Sequence, residues 1–122
     1  THYLIEGALK HANKLKTFIS SSAVGFYDHS IDEDLDINSK PSTTFLGKVC
    51  VDWERSSDEI NSLPNIRTVI FRIGLVLGKK GALSKMKLPF LLGLGGVLGS
   101  GKQWMNWIHV NDLVSLFVNS IV

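Results

Sequence analysis

Three consecutive hydroxyls, Ser20, Ser21 and Ser22, follow the apolar pair Phe18–Ile19. In an open α/β sheet, ligands bind beyond the carboxyl ends of the strands. A serine at such an end can donate a hydrogen bond to a substrate oxygen or to a carboxamide. The plainer reading is a solvated turn that closes the strand. Arg72 is the odd charge, because it interrupts the β-branched and aromatic run Thr68–Ile73. A buried guanidinium needs a partner. Glu54, on a helical stretch, is one candidate, and a ligand phosphate is the other.

Two glycine spacings resemble phosphate-binding loops, and both fail on context. Gly93, Gly96 and Gly99 fit GxxGxxG. That motif works between a strand and a helix N-terminus, where amide groups and the helix dipole face the pyrophosphate. Here Ser100–Trp104 follows instead of an amphipathic helix, and no acidic residue ends a second strand about 20 positions on. Gly96–Lys102 fits GxxxxGK, but Gln103 replaces the Ser or Thr that would ligate magnesium, and no strand feeds the loop. Gly93–Gln103 therefore reads as a glycine loop lying beside a ligand.

The remaining reactive side chains read as structural. Cys50 falls on an apolar helix face, as a small buried hydrophobe would. His2, His11, His29 and His109 share no metal-ligand spacing, so no metal site is expected. His109 stands just before a helix start, a structural position. Asp32, Glu33, Asp34 and Asp36 read as a solvated face. Trp53 reads as core, while Trp104 and Trp107 flank the glycine loop.

The elements that must position these groups alternate in type. Leu4, Ile5, Ala8, Leu9, Ala12 and Leu15 predict a helix over 2–15. Thr17–Ser21 predicts a short buried strand, and Ala23–Thr44 a polar surface loop. Leu46, Val49, Cys50, Trp53, Ser57 and Ile60 share one face of a second helix, capped by Thr43 or Thr44 and ended by Pro64. Arg67–Leu77 predicts a strand covered on both faces. Residues 78–106 read as a Gly-rich segment with a helical turn around Leu83–Leu88. Trp107–His109 is a short strand, and Asn111 caps a last helix. Strand–helix alternation implies parallel pairing and right-handed crossovers. The fold class is α/β, a partial Rossmann-type doubly wound sheet lacking its first βαβ units, with residues 1–122 forming a piece of one domain.

Composition sets the outer limits. The chain has 122 residues, 44% hydrophobic and 20% charged, with net charge +2. The charge is too small and too scattered to argue for nucleic acid or an anionic membrane. The longest apolar stretch, Leu88–Gly99, carries four glycines and is too short for a bilayer, which takes about 20 residues. One cysteine excludes an intrachain disulfide and fits a reducing, cytoplasmic location. The chain is expected to be part of a longer protein, since its first residue is Thr1 and helical pattern begins at once.

Phe18–Tyr27 resembles the strand–Ser–Tyr signature of extended short-chain dehydrogenases/reductases of the NAD(P)-dependent epimerase/dehydratase type. Arg72–Gly78 is similar to their strand and loop under the nicotinamide. Phe90–Asp112 looks like one subgroup, often described as cell-division-inhibitor-like, and Asp52–Glu54 and Gly81–Leu83 match it as well. The resemblance covers essentially the whole chain. It implies Ser22 as the catalytic serine. Ser20, Ser21, Arg72, Gly74, Leu75 and Val76 would bind the cofactor, and Gly96, Gln103 and Trp104 would form a substrate loop.

It implies NADP or NAD in the complete protein, with weak or no binding by residues 1–122 alone. The implied function is a nucleoside-diphosphate-sugar-epimerase/dehydratase-like oxidoreductase acting on a small molecule. Two departures bear on this. The usual Tyr-x-x-x-Lys pair falls on Phe45 and Val49, or on Leu46 and Cys50, and Asp28 replaces the Gly after Tyr27. The alternative reading is a non-catalytic dinucleotide-binding regulatory protein. An exposed sheet edge also suggests pairing with another chain, as in a homo-oligomer.

Overall fold

A computed structural model describes residues 2–11, 14–28, 34–61, 63–97 and 99–121. Helix α1 (His2–Lys10) carries Ile5, Ala8 and Leu9 at the steps that share a helix face. Ile5 is buried against Phe18 and Ile60, with Leu15 and Ile66 packed around them. The helix stops short of the expected Leu15, and Ala12 lies outside the described residues.

Strand β1 (Thr17–Ala23) pairs in parallel with β2 (Arg67–Ile73), Thr17 opposite Arg67 through Ala23 opposite Ile73. The expected strand ended at Ser21. It runs on because Ser20, Ser21 and Ser22 keep their ladder partners Ile70, Phe71 and Arg72. The serines therefore sit inside the strand, near its carboxyl end. The segment expected as surface loop is partly packed. A 3₁₀ turn (Val24–Phe26) buries Phe26, Tyr27 bridges to Pro41, and Ser42 is buried. Asp34 and Asp36 are exposed, while His29, Asp32 and Glu33 lie outside the described residues.

Helix α2 (Phe45–Arg55) starts at Thr44, whose hydroxyl accepts from Gly47 N at 3.2 Å. Gly47 must stay bare, because a Cβ there would collide with the Ser42 carbonyl oxygen. The single long helix expected to Ile60 is broken. Ser56 N bonds to Asp52 O and Ser57 N to Glu54 O, a tightened end, and α3 (Asp58–Asn61) then turns Ile60 into the core against Ile5. Cys50 is buried as expected. Trp53 corrects the core expectation, since it is 47% exposed, and Leu46 and Val49 are exposed too.

The predicted strand Arg67–Leu77 is also two elements. At Gly74 the chain leaves β2 and enters β3 (Leu75–Leu77), which pairs in parallel with β4 (Trp107–His109). Leu75 N donates to Asn106 O at 2.8 Å, and a Cβ on Gly74 would lie 2.5 Å from that same oxygen. Glycine is what allows the two backbones to approach. The segment expected to hold one helical turn forms a ten-residue helix, α4 (Ala82–Leu91), with Pro89 inside it. The helix formers Ala82, Leu83, Lys85, Met86, Lys87 and Leu88 outweigh the missing proline donor.

Helix α5 (Val110–Asn119) is capped by His109, whose Nδ1 accepts from Asn111 N at 3.2 Å, and not by Asn111. The β2 side chains alternate between helices. Arg72 meets α2, and Phe71 meets Phe117 of α5 with ring centroids 5.0 Å apart. Helices on both faces of parallel strands make this an α/β, doubly wound arrangement. Among the described residues no helix is long and apolar enough to cross a membrane.

Candidate functional site

Ladder parity divides the serine triplet. Successive side chains point to opposite faces of a strand. Ser20 and Ser22 share one face, and Ser21 takes the other, where it is exposed. Ser22 stands opposite Arg72 and is only 6% exposed. Its Oγ is buried without a hydrogen bond of full geometry. The Glu54 carboxylate lies close enough to feel that hydroxyl.

Arg72 is fixed from three sides. Its Nε donates to Glu54 Oε1 at 2.9 Å and its Nη2 to Oε2 at 2.8 Å, a bidentate pair across β2 and α2. Its Nη1 donates to the Tyr27 hydroxyl at 2.6 Å and to the Ile37 carbonyl at 3.4 Å. The guanidinium carbon sits 3.4 Å from the Phe26 ring centroid and 5.0 Å from that of Tyr27. Of the two partners open to Arg72 in the sequence, the structure places the carboxylate against it.

The charges respond accordingly. Burial disfavours the charged form of Glu54, but the Arg72 hydrogen bonds, the Ser22 hydroxyl and the Arg72 charge outweigh it and hold the carboxyl below its usual value. The Glu54 hydrogen bonds, against burial and with help from Tyr27, push Arg72 above its already high value. At neutral pH the pair is fully ionised and neither partner is a proton carrier.

A cavity of about 240 Å³ opens where the two strand pairs meet, lined by Val24, Arg72, Gly74, Asn106 and Trp107 among others. Leu75 and Val76 continue from it, opposite Trp107 and Ile108. The structure thus brings Ser22, Arg72 and Gly74 to one end of the parallel strands. It does not bring Gly96, Gln103 or Trp104 there: all three are exposed in the segment between α4 and β4, and none lines this cavity. Among the described residues no three His, Cys, Asp or Glu are grouped to hold a metal. Phe26 and Tyr27, the aromatic bed of Arg72, were not foreseen in that role. The available signal was an unexplained cation in an apolar strand together with an aromatic pair just past the serines.

Residues 1–121 match the family model described as "NAD dependent epimerase/dehydratase family". The chain is 41% identical over 104 residues to the chloroplastic epimerase family protein SDR39U1 homolog of Arabidopsis thaliana, covering 84% of this chain and 29% of that protein. It is 41% identical over 108 residues to epimerase family protein YfhF of Bacillus subtilis, covering 88% and 35%. Among solved structures it resembles human epimerase family protein SDR39U1 (isoform 2) with NADPH, with TM-score 0.75 and 36% identity, covering 84% of this chain and 35% of that one. It also resembles a nucleoside-diphosphate sugar epimerase from Corynebacterium glutamicum, with TM-score 0.87 and 32% identity, covering 99% and 26%. The chain spans about a third of the length of the curated relatives it matches.

Proposed function

Because the chain belongs to the NAD dependent epimerase/dehydratase family, we propose that it supplies the substrate-side part of an NAD(P)-dependent oxidoreductase resembling nucleoside-diphosphate-sugar epimerases and dehydratases. The observation that carries this reading is Ser22. It is a buried hydroxyl with no partner of full geometry, at the carboxyl end of a parallel pair and opposite Arg72, which lines the cavity. Buried polar atoms without partners are few in native proteins, and a ligand contact is one explanation of them. A bound nicotinamide supplies or accepts a hydride.

The residues present fit its ring end. Ser22 would hydrogen-bond the substrate oxygen or the carboxamide, and Gly74, Leu75 and Val76 would offer bare backbone at the cavity wall. Arg72 and Glu54 are positioning residues here, locking α2 over β2 so that Ser22 stays aimed. Ser20 lies on the same face as Ser22, and we keep it, with Ser21, as an outer contact. The human relative's NADPH supports a nicotinamide cofactor, and NADP is our first choice over NAD. A cavity of about 240 Å³ is too small for a whole dinucleotide. Residues 1–122 alone should therefore hold it weakly. We place the protein in the cytoplasm, in line with its single buried cysteine. The edge of β1 away from β2, unpaired among the described residues, is where further strands or a second copy would add.

A second reading, a dinucleotide-binding protein without catalysis, is favoured by one observation. The register that usually carries Tyr and Lys holds Phe45, Leu46, Val49 and Cys50 in the first turns of α2, so neither the Tyr acid/base nor its Lys is present there. One experiment separates the readings. The intact protein is titrated with NADPH and NADH, then given nucleotide sugars and simple carbonyl compounds while nicotinamide absorbance is followed. Binding with turnover supports the enzyme. Binding without turnover on any of them supports the second reading, and no binding of either nucleotide overturns both.

A further inference from the structure

Beyond the far end of β3 lies a second cavity, of about 330 Å³, that the dinucleotide reading does not use. It opens at Gly78 and Lys79 and runs along one stripe of α4, Leu83, Lys87, Leu88 and Leu91. Gly78 follows β3 directly and Gly74 precedes it, so the two cavities bracket a three-residue strand. At 3.2–3.4 Å per residue their mouths lie about 13 Å apart along the backbone. The second cavity stands at the carboxyl end of a parallel strand, where ligands of open α/β sheets bind.

The lining pairs two chemistries. Three leucines form an apolar wall, and two lysines stand at the rim, brought there by the turn at Gly81 (φ 104°) into α4. The charge around them has one sign. Residues 60–111 contain seven Lys or Arg and no Asp or Glu. Arg72 is neutralised by Glu54, but no acidic side chain is near in sequence to answer Lys79 or Lys87. A purely apolar occupant would leave both ammonium groups without a counter-charge, and a sugar nucleotide would leave the leucine wall facing polar surface.

We propose that this cavity takes an aliphatic anion: a chain of medium length lying on Leu83, Leu88 and Leu91, with a carboxylate or phosphate head held by Lys79 and Lys87. This names the substrate class for the oxidoreductase reading and rests on it. The head and the reactive end of such a molecule would occupy the two cavities on either side of β3.

The test uses the intact protein, with binding followed by calorimetry. The probes are dodecanoate, dodecyl phosphate, dodecanol, butanoate and UDP-glucose, the long-chain ones kept below their micellar concentrations. The expected order places both dodecyl anions ahead of dodecanol and butanoate, and UDP-glucose last; which anion binds more tightly identifies the head group. The double variant K79Q/K87Q should weaken both dodecyl anions roughly tenfold or more, the loss of charge-assisted bonds, and leave dodecanol unchanged. The variant L88N/L91N should weaken all three dodecyl probes. Dodecanol binding as tightly as dodecanoate, butanoate matching dodecanoate, or K79Q/K87Q weakening UDP-glucose more than the dodecyl anions would each overturn the proposal. NADPH is titrated in parallel on every variant. Absence of dodecyl binding in the unaltered protein with NADPH bound normally defeats this proposal alone, while absence of NADPH binding in the unaltered protein defeats the underlying reading instead.

Discussion

Arg72 and Glu54 meet fork to fork, at 2.9 and 2.8 Å, with their side chains only 21% and 14% exposed. The pair clamps β2 to α2 directly over Ser22. Removing one partner strands the other in a part-buried site, which costs more than the pair contributes. Arg72→Leu should therefore destabilise the protein by roughly 2–4 kcal/mol, the lower half of the range reflecting residual solvent contact. The double change Glu54→Leu with Arg72→Leu should recover most of that loss. Urea unfolding of the four species closes the cycle. A double variant less stable than Arg72→Leu alone would remove the argument.

The same pair sets a pH dependence. Glu54 is held below its ordinary value of 4.5 in the folded chain. A depressed carboxyl contributes stability that is fully present above its unfolded value and is lost as pH falls through the folded one. Arg72 stays protonated throughout and adds no slope. The urea midpoint difference between the natural protein and Glu54→Gln should stay constant from neutral pH down to about 5 and shrink below that. An unchanged difference on going well below pH 4.5 would show that Glu54 does not carry the linkage.

Ser22 separates function from stability. Its Oγ is buried without a hydrogen bond of full geometry, so removing it forfeits only its weak hold on the Glu54 carboxylate, which keeps both Arg72 bonds. Ser22→Ala should be neutral or slightly stabilising in thermal unfolding while lowering turnover by roughly 10²-fold. A stability loss equal to that of a core truncation, with turnover intact, would make Ser22 a structural hydroxyl.

The element order and parallel pairing were legible because periodicity of apolar residues reports which face is covered. Thr44 as cap and Cys50 as core followed from the same pattern. The misplaced boundaries share one cause: tertiary contacts that no local pattern records. Gly74 breaks a run that reads as one strand, because the carbonyl of Asn106, far along the chain, arrives against it. His109 takes the cap from Asn111 through a ring nitrogen, a role with weak sequence preference. At the site, the Ser22 position was readable from strand and hydroxyl type. The Phe26 and Tyr27 bed under Arg72 was not, since it depends on a 3₁₀ turn folding the chain back.

That close approach gives Gly74 its own prediction. A methyl group there would sit 2.5 Å from the Asn106 oxygen, so one backbone must move. Gly74→Ala should cost roughly 1–3 kcal/mol by overpacking, and it should weaken NADPH binding because the wall of the first cavity shifts. Gly96→Ala, with nothing within 4 Å of its added carbon, is the control. Equal effects of the two changes in urea unfolding would show that the β3–β4 contact is not the cause.

The stretch from Gly93 to Gln103 carries left-handed glycines at Gly93, Gly99 and Gly101, with φ of 71°, 58° and 68°. Leu94 and Val97 are 77% and 78% exposed, so little apolar burial restrains this stretch in the chain as folded. Backbone of that composition has much entropy to lose on ordering. We expect ligand to order it, with Gln103 and Trp104 closing over the mouth of the site. Hydrogen exchange in the intact protein should show fast exchange across these amides without NADPH and at least tenfold slower exchange with it, a change of about 1.4 kcal/mol in local opening. The amides of β1 and β2 serve as the internal reference, being ladder-bonded in either state. Strong and equal protection of Gly93–Gln103 with and without NADPH would make the loop structural. The ligand wall would then have to be sought at Ser20–Tyr27 and Leu75–Leu77.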